Sequence, residues 1–136
     1  MTNARRPVIA CLAFALAACQ PQPAEQATPS TDATGSYRLV TLNNKPLAGG
    51  ATLLWEADGR ITGEAPCNAF FTRQTSVLPA LSLEPIGLTR RACLWSGDEA
   101  AFVAALTAAN VAMPDTQGLT LTAPDGTTLR FARDPA

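Results

Sequence analysis

A mainly-β domain (α+β), with a small antiparallel sheet curled into a barrel-like form and one packed α-helix, is the fold this sequence predicts. Three observations carry that reading. Thr52-Leu53-Leu54-Trp55-Glu56 and Arg60-Ile61-Thr62-Gly63 flank Ala57-Asp58-Gly59, a loop that ends in the glycine a left-handed turn position asks for. Leu119-Thr120-Leu121-Thr122 and Thr127-Thr128-Leu129-Arg130-Phe131 alternate in the same way around Pro124-Asp125-Gly126. Between these hairpins one stretch, about residues 97–109, carries helix signals.

The domain opens with Ser36-Tyr37-Arg38-Leu39-Val40-Thr41-Leu42, apolar at 37, 39 and 42, followed by the turn residues Asn43-Asn44-Lys45-Pro46. In the first hairpin a three-residue loop with Gly59 left-handed sets Trp55 opposite Ile61 and Glu56 opposite Arg60. A two-residue loop would pair Trp55 with Thr62 and misalign the apolar face, so register favours the bulged turn. Phe70-Phe71-Thr72-Arg73 and Leu81-Ser82-Leu83-Glu84-Pro85-Ile86 supply further strand-like runs. Ser96-Gly97-Asp98-Glu99 reads as a capping box, with Ser96 and Glu99 each satisfying a backbone donor at the helix start. Phe102, Val103 and Leu106 then form one apolar stripe, and Asn110 is a left-handed stop with Pro114 beyond it. The same three-residue geometry in the second hairpin pairs Leu121 with Leu129 and Leu119 with Phe131.

The first third of the 136 residues is not domain material. Arg5-Arg6, an apolar run from Val8 to Ala18 and then Cys19 read as a secretory signal too short to span a membrane. Leu16-Ala17-Ala18-Cys19 matches the bacterial lipobox, which makes residues 1–18 a signal peptide and Cys19 the lipidated first residue. Ordinary cleavage near Ala17 or Ala18 is the alternative, and Arg5-Arg6 raises a twin-arginine route whose surrounding residues fit poorly. Gln20 after the cysteine favours the outer membrane over retention at the inner one. Three acyl chains exceed the two signals that stable anchoring needs. Residues 19–35 form the lipidated cysteine and a Pro- and Gln-rich tether without a large apolar side chain, expected to stay disordered, and residues 36–136 form the domain.

Removing Arg5 and Arg6 leaves eight basic against eleven acidic residues, a net −3 that supplies no footprint for nucleic acid. There is no histidine and only one lysine, Lys45, in an apparent turn. That leaves no Ser-His or Cys-His pair and no His/Cys cluster for zinc. A carboxylate pair for glycoside hydrolysis would have to come from Glu56, Asp58, Glu64 and Glu84, and no motif marks any two of them. No catalytic residue, metal ligand or cofactor is therefore assigned.

Once Cys11 departs with the signal and Cys19 is lipidated, Cys67 and Cys93 remain in an oxidising compartment. A disulfide between them would stabilise the fold by roughly 3–4 kcal/mol on the chain-entropy account; two separate buried thiols are the alternative. Gly63, the block Cys67-Asn68-Ala69-Phe70-Phe71, the set Thr89, Ala92 and Cys93, and the helix signal after it resemble the META domain, the family of HslJ-like heat-shock proteins and small bacterial envelope lipoproteins. The resemblance covers roughly Ser36 to Arg133. It implies a small, mainly-β, barrel-like domain and, for a chain that the missing catalytic residue types mark as non-enzymatic, a role in envelope maintenance or stress tolerance.

Asn68 reads either as an amide tying a bulged strand to its neighbour or as a ligand-binding group. Arg90 and Arg91 read as an anion or lipid-headgroup site, or as two solvated or carboxylate-paired side chains. Trp55, Phe70, Phe71 and Trp95 read as core or rim aromatics, since no basic stripe accompanies them. The expectation is a monomer anchored in the outer membrane and facing the periplasm, with a periplasmic protein as its partner. A hydrolase inhibitor and a small-molecule-binding barrel stand as alternatives.

Overall fold

The computed structural model describes residues 30–135, so the signal-like segment, Cys19 and most of the tether lie outside the described residues. In chain order the elements are β1 (Gly35–Leu42), β2 (Thr52–Trp55), β3 (Arg60–Glu64), β4 (Ala69–Arg73), β5 (Gly87–Leu88), α1 (Glu99–Ala108), β6 (Val111–Pro114), β7 (Gly118–Thr122) and β8 (Thr128–Arg133). The strands form one antiparallel sheet in the order β5-β4-β3-β2-β1-β8-β7-β6. Segment 75–84 links its outer strands: Ala112 N–H donates to the Pro79 carbonyl (2.8 Å) on the β6 side. Glu84 N–H donates to the Arg73 carbonyl (2.9 Å) on the β4 side. The result is a curled half-barrel whose inner face is the core.

Both hairpins have the register expected of three-residue loops. Trp55 pairs with Ile61, and Gly59 stands at φ +86°. Leu121 pairs with Leu129, Leu119 with Phe131, and Gly126 has φ +88°. In β1 the apolar positions 37, 39 and 42 break a strict period of two. A bulge at Val40 resolves this: Leu39 faces Phe131 while Thr41 already faces Arg130, so Leu42 returns to the inner face opposite Leu129. Asn43 and Asn44 turn the chain at φ +50° and +63°, the positive values that asparagine tolerates better than most side chains.

The helix is shorter than the sequence suggested and ends differently at both termini. It spans Glu99–Ala108, its N-cap is Asp98, and no side chain caps it. The Glu99 carboxylate turns away to a neighbouring loop, so the capping box does not form. At the other end Ala109 is extended (φ −63°, ψ 132°), and Asn110 runs directly into β6 rather than adopting a left-handed stop. The short strands β5 and β6 were not anticipated, and Leu81–Ile86 serves as an edge-bridging segment rather than a strand.

Among the described residues, ten large side chains are almost completely buried, including Tyr37, Phe70, Phe102, Phe131, Leu106 and Leu121. Each contributes about 1.5–3 kcal/mol of transfer free energy. Phe102 and Leu106 reach from the helix into one end of the curled sheet, where Phe102 meets Phe70 with ring centroids 5.5 Å apart. That end holds the last residue of β1 and the β7–β8 turn, which border a groove with Ala101, Ala105 and Ala108. The other end is covered by residues 30–34, which composition had placed in the tether. Ala33 is 3% exposed. The Tyr37 hydroxyl donates to the Ala33 carbonyl (2.6 Å), Arg133 donates to the Thr34 carbonyl (2.8 Å), and Ser30 N–H donates to the Pro114 carbonyl (3.0 Å). Residues 30–34 are thus part of the packed domain, because a small apolar side chain and backbone hydrogen bonds suffice to hold an extended arm.

Candidate functional site

The residues the sequence singled out converge at the corner between β3 and β4. The turn Ala65-Pro66-Cys67-Asn68 is closed by Ala65 N–H donating to the Asn68 carbonyl (2.8 Å). Its other backbone donors point outward and need an acceptor. Glu99 provides it: one carboxylate oxygen accepts from Cys67 N–H (2.8 Å) and Asn68 N–H (2.6 Å), and the other from the Asn68 amide nitrogen (2.8 Å). The Asn68 side-chain oxygen accepts from Arg91 N–H (2.7 Å) and from the Thr89 hydroxyl (3.1 Å). Thr89 in turn accepts from Ala69 N–H (3.0 Å). One amide therefore joins the β3–β4 corner, the loop before the helix and the helix itself.

The Cys67–Cys93 disulfide staples the same three pieces, with the Cα atoms 6.1 Å apart. Burial pushes the Glu99 carboxyl up, but the donors of Asn68 and Cys67 outweigh it and hold the group below its ordinary value. It is an anion built into the fold. Gly63 belongs to this corner for a steric reason: a Cβ there would overlap the Thr52 carbonyl oxygen and lie 2.7 Å from the Phe70 ring.

The two arginines part company. Arg91 pairs with Glu64 (3.0 Å), both about half exposed. Arg90 is exposed and has no hydrogen bond or ion pair among the described residues. Of the carboxylates considered for hydrolysis, Glu56 and Asp58 sit with Arg60, and Glu64 with Arg91. Trp55 and Phe70 are core residues, whereas Phe71 and Trp95 are exposed.

Sequence reasoning missed a protruding tip. Leu94 is fully exposed and Trp95 is 63% exposed, in a loop clamped on both sides. The disulfide holds Cys93, and Asp98 pairs with Ala48 through its N–H to the Ala48 carbonyl (3.1 Å) and its carboxylate to the Ala48 N–H (3.1 Å). Gly97 in between has φ +53°, and a Cβ there would strike the Ala48 carbonyl. The only signal in the sequence was two large apolar residues beside a Ser-Gly pair, which also describes a core-directed loop.

Among the described residues no group of three or more His, Cys, Asp or Glu side chains could hold a metal ion. No helix among them is long and apolar enough to cross a membrane.

A curled antiparallel sheet of eight strands, one end filled by a helix and the corner beside that helix locked by Cys67, Asn68 and Glu99, defines a small β-rich domain with a cross-linked corner. The model of the META domain family matches residues 30–136, and the chain belongs to that family. The match starts at the arm packed beneath Tyr37. The NMR structure of a protein from Burkholderia xenovorans is similar, with a TM-score of 0.63 and 22% sequence identity over 86% of this chain and 99% of that one, which is a likeness of fold. No curated protein matched the sequence.

Proposed function

We propose that this chain is a non-enzymatic META-domain lipoprotein, anchored through Cys19 at the outer membrane and facing the periplasm. There it supports envelope maintenance or stress tolerance as a binding module. One observation carries the non-enzymatic part: the polar atoms of the family block are spent on one another. Asn68, Thr89 and Glu99 satisfy backbone and side-chain donors of the corner, so these groups act as a brace rather than as reagents facing a cleft. The lipobox Leu16-Ala17-Ala18-Cys19 supports the anchor.

A second reading, inhibition of a periplasmic hydrolase, draws on the clamped Leu94–Trp95 loop. A tip fixed at both ends loses little conformational entropy on binding, and a large aromatic is a frequent hot-spot residue. The tip is apolar, with Arg90 nearby in sequence. A small-molecule barrel has less support, since Phe102 and Leu106 fill one end and Ala33 and Tyr37 the other.

The test is in-cell crosslinking of the anchored protein followed by affinity purification, with wild type compared against Trp95→Ala. A stoichiometric partner lost in the variant supports the binding-module reading. A blank from intact envelopes in both removes it. Incorporation of labelled palmitate that disappears in Cys19→Ser tests the anchor.

A further inference from the structure

We infer that the face formed by the 75–80 loop and β6 rests on the phospholipid surface, leaving the Leu94–Trp95 tip pointing away from it. This builds on the lipid-anchor reading, and three observations lead to it.

The first is where the chain enters the domain. Ser30 hydrogen-bonds Pro114 at the end of β6, and a shallow depression of about 190 Å³ beside it is lined by Leu78, Pro79, Met113 and Pro114. Ten residues separate Cys19 from Ser30, a reach of at most about 40 Å. Any anchored chain therefore keeps the surroundings of Ser30 at the highest effective concentration with lipid.

The second is charge. Residues 74–83 contain no ionisable side chain, and neither do residues 100–114. The backbone stitches these stretches together through Ala112 to Pro79 and Leu81 to Asn110. By contrast, the outer faces of β1, β3 and β4 carry Arg38, Arg60 and Arg73, each paired with a carboxylate. Pressing those ion pairs against a bilayer would desolvate them, and the neutral face avoids that cost.

The third is apolar exposure on that same face. Val77 is 86% exposed and Met113 49% exposed. Val40, Leu54, Phe71 and Leu88 are exposed on the sheet, but the Leu94–Trp95 tip is the strongest competing apolar surface, and the topology puts it at the opposite end. Residues 31–34 border the Ala57-Asp58-Gly59 turn at the start of β3, whereas Cys67 and its disulfide partner follow the end of β3. Five strand residues hold those two levels about 17 Å apart.

Indole emission in vesicles tests this directly. The chain from Cys19 onward, with its Cys67–Cys93 disulfide intact, is coupled through the Cys19 thiol to a maleimide phospholipid. The vesicles contain phosphatidylethanolamine, phosphatidylglycerol and a dibrominated phosphatidylcholine as quencher. Trp55 is a constant buried background, and Trp95 reports on the tip. Val77→Trp in a Trp95→Phe background reports on the proposed face, and Val40→Trp in the same background controls for the affinity of an added indole. The V77W variant should lose roughly half its added emission, as expected of a side chain at the headgroup boundary. Wild type and V40W should lose little. Quenching of Trp95 but not of V77W would assign the membrane to the tip, and no quenching anywhere would mean that no face rests on lipid; either result overturns the inference. Because the coupling is chemical, this outcome is independent of whether cells acylate Cys19, which the palmitate experiment reads separately.

Discussion

Glu99 sits one residue into a helix, yet its carboxylate serves another part of the chain. Removing it by Glu99→Ala leaves Cys67 N–H, Asn68 N–H and the Asn68 amide without their acceptor. The expected cost is about 2–3 kcal/mol in urea unfolding, since bonds to a charged acceptor are among the stronger ones and water replaces part of them. The pH dependence has a definite sign. The folded-state carboxyl lies below its ordinary value of 4.5, so its stabilising contribution is present above that pH and is lost as pH falls through the folded value. Wild type should therefore lose more stability than Glu99→Gln on acidification below about pH 4.5. Equal losses would show that Glu99 is not the responsible group. Gly63 offers a steric counterpart: Gly63→Ala should cost about 2 kcal/mol or more, because its new methyl meets backbone and a core ring rather than a flexible side chain.

At the scale of elements, the disulfide and the asparagine knot hold the same corner in different ways. The disulfide restricts the unfolded chain across a separation of 26 residues, whereas the hydrogen bonds act in the folded state. Reduction, or Cys67→Ser with Cys93→Ser, should lower stability by roughly 3 kcal/mol. It should also loosen the Leu94–Trp95 loop, which then keeps only the Ala48–Asp98 clamp. Hydrogen exchange at the flanking Arg91 and Asp98 amides, which donate to Asn68 and Ala48, checks this, and unchanged protection after reduction would contradict it. The hairpins depend less on long-range partners. Gly126→Ala should cost about 1 kcal/mol, from placing a side chain at φ +88° with open space around it.

For the molecule as a whole, the proposed binding-module reading places stability and recognition on different residues. Phe102 is fully buried and meets Phe70, so Phe102→Ala should cost about 3–5 kcal/mol and unseat the helix from the sheet end. Trp95→Ala, on an exposed loop, should change the unfolding free energy by no more than about 0.5 kcal/mol. If the binding-module reading holds, it abolishes partner crosslinking at that unchanged stability. A Trp95→Ala protein as unstable as Phe102→Ala would mean that the tip is structural after all.

The parts legible in the sequence were those governed by neighbours along the chain. Glycine placement and alternating side chains determined both hairpins and their registers, because a three-residue loop with a left-handed glycine leaves one pairing that keeps Trp55, Ile61, Leu121 and Leu129 on one face. The pairing of Cys67 with Cys93 was one of two readings left open once Cys11 and Cys19 were assigned to the signal and the lipid, and the META resemblance came from a few spaced residues. Tertiary structure alone decided where long-range polar groups went. Glu99 has the spacing of a helix cap, but the unsatisfied donors of the Cys67–Asn68 turn compete for it and hold it more strongly through three bonds than its own helix start would through one. Asn110 has the chemistry of a helix stop, yet Leu81 and Thr122 on either side draw it into an extended path. Ser30–Thr34 have the composition of a tether, and only the backbone groups around Tyr37 and Pro114 make them part of the domain. Short segments such as β5 and β6 are set by the edges they meet, and local sequence carries no record of which edge that will be.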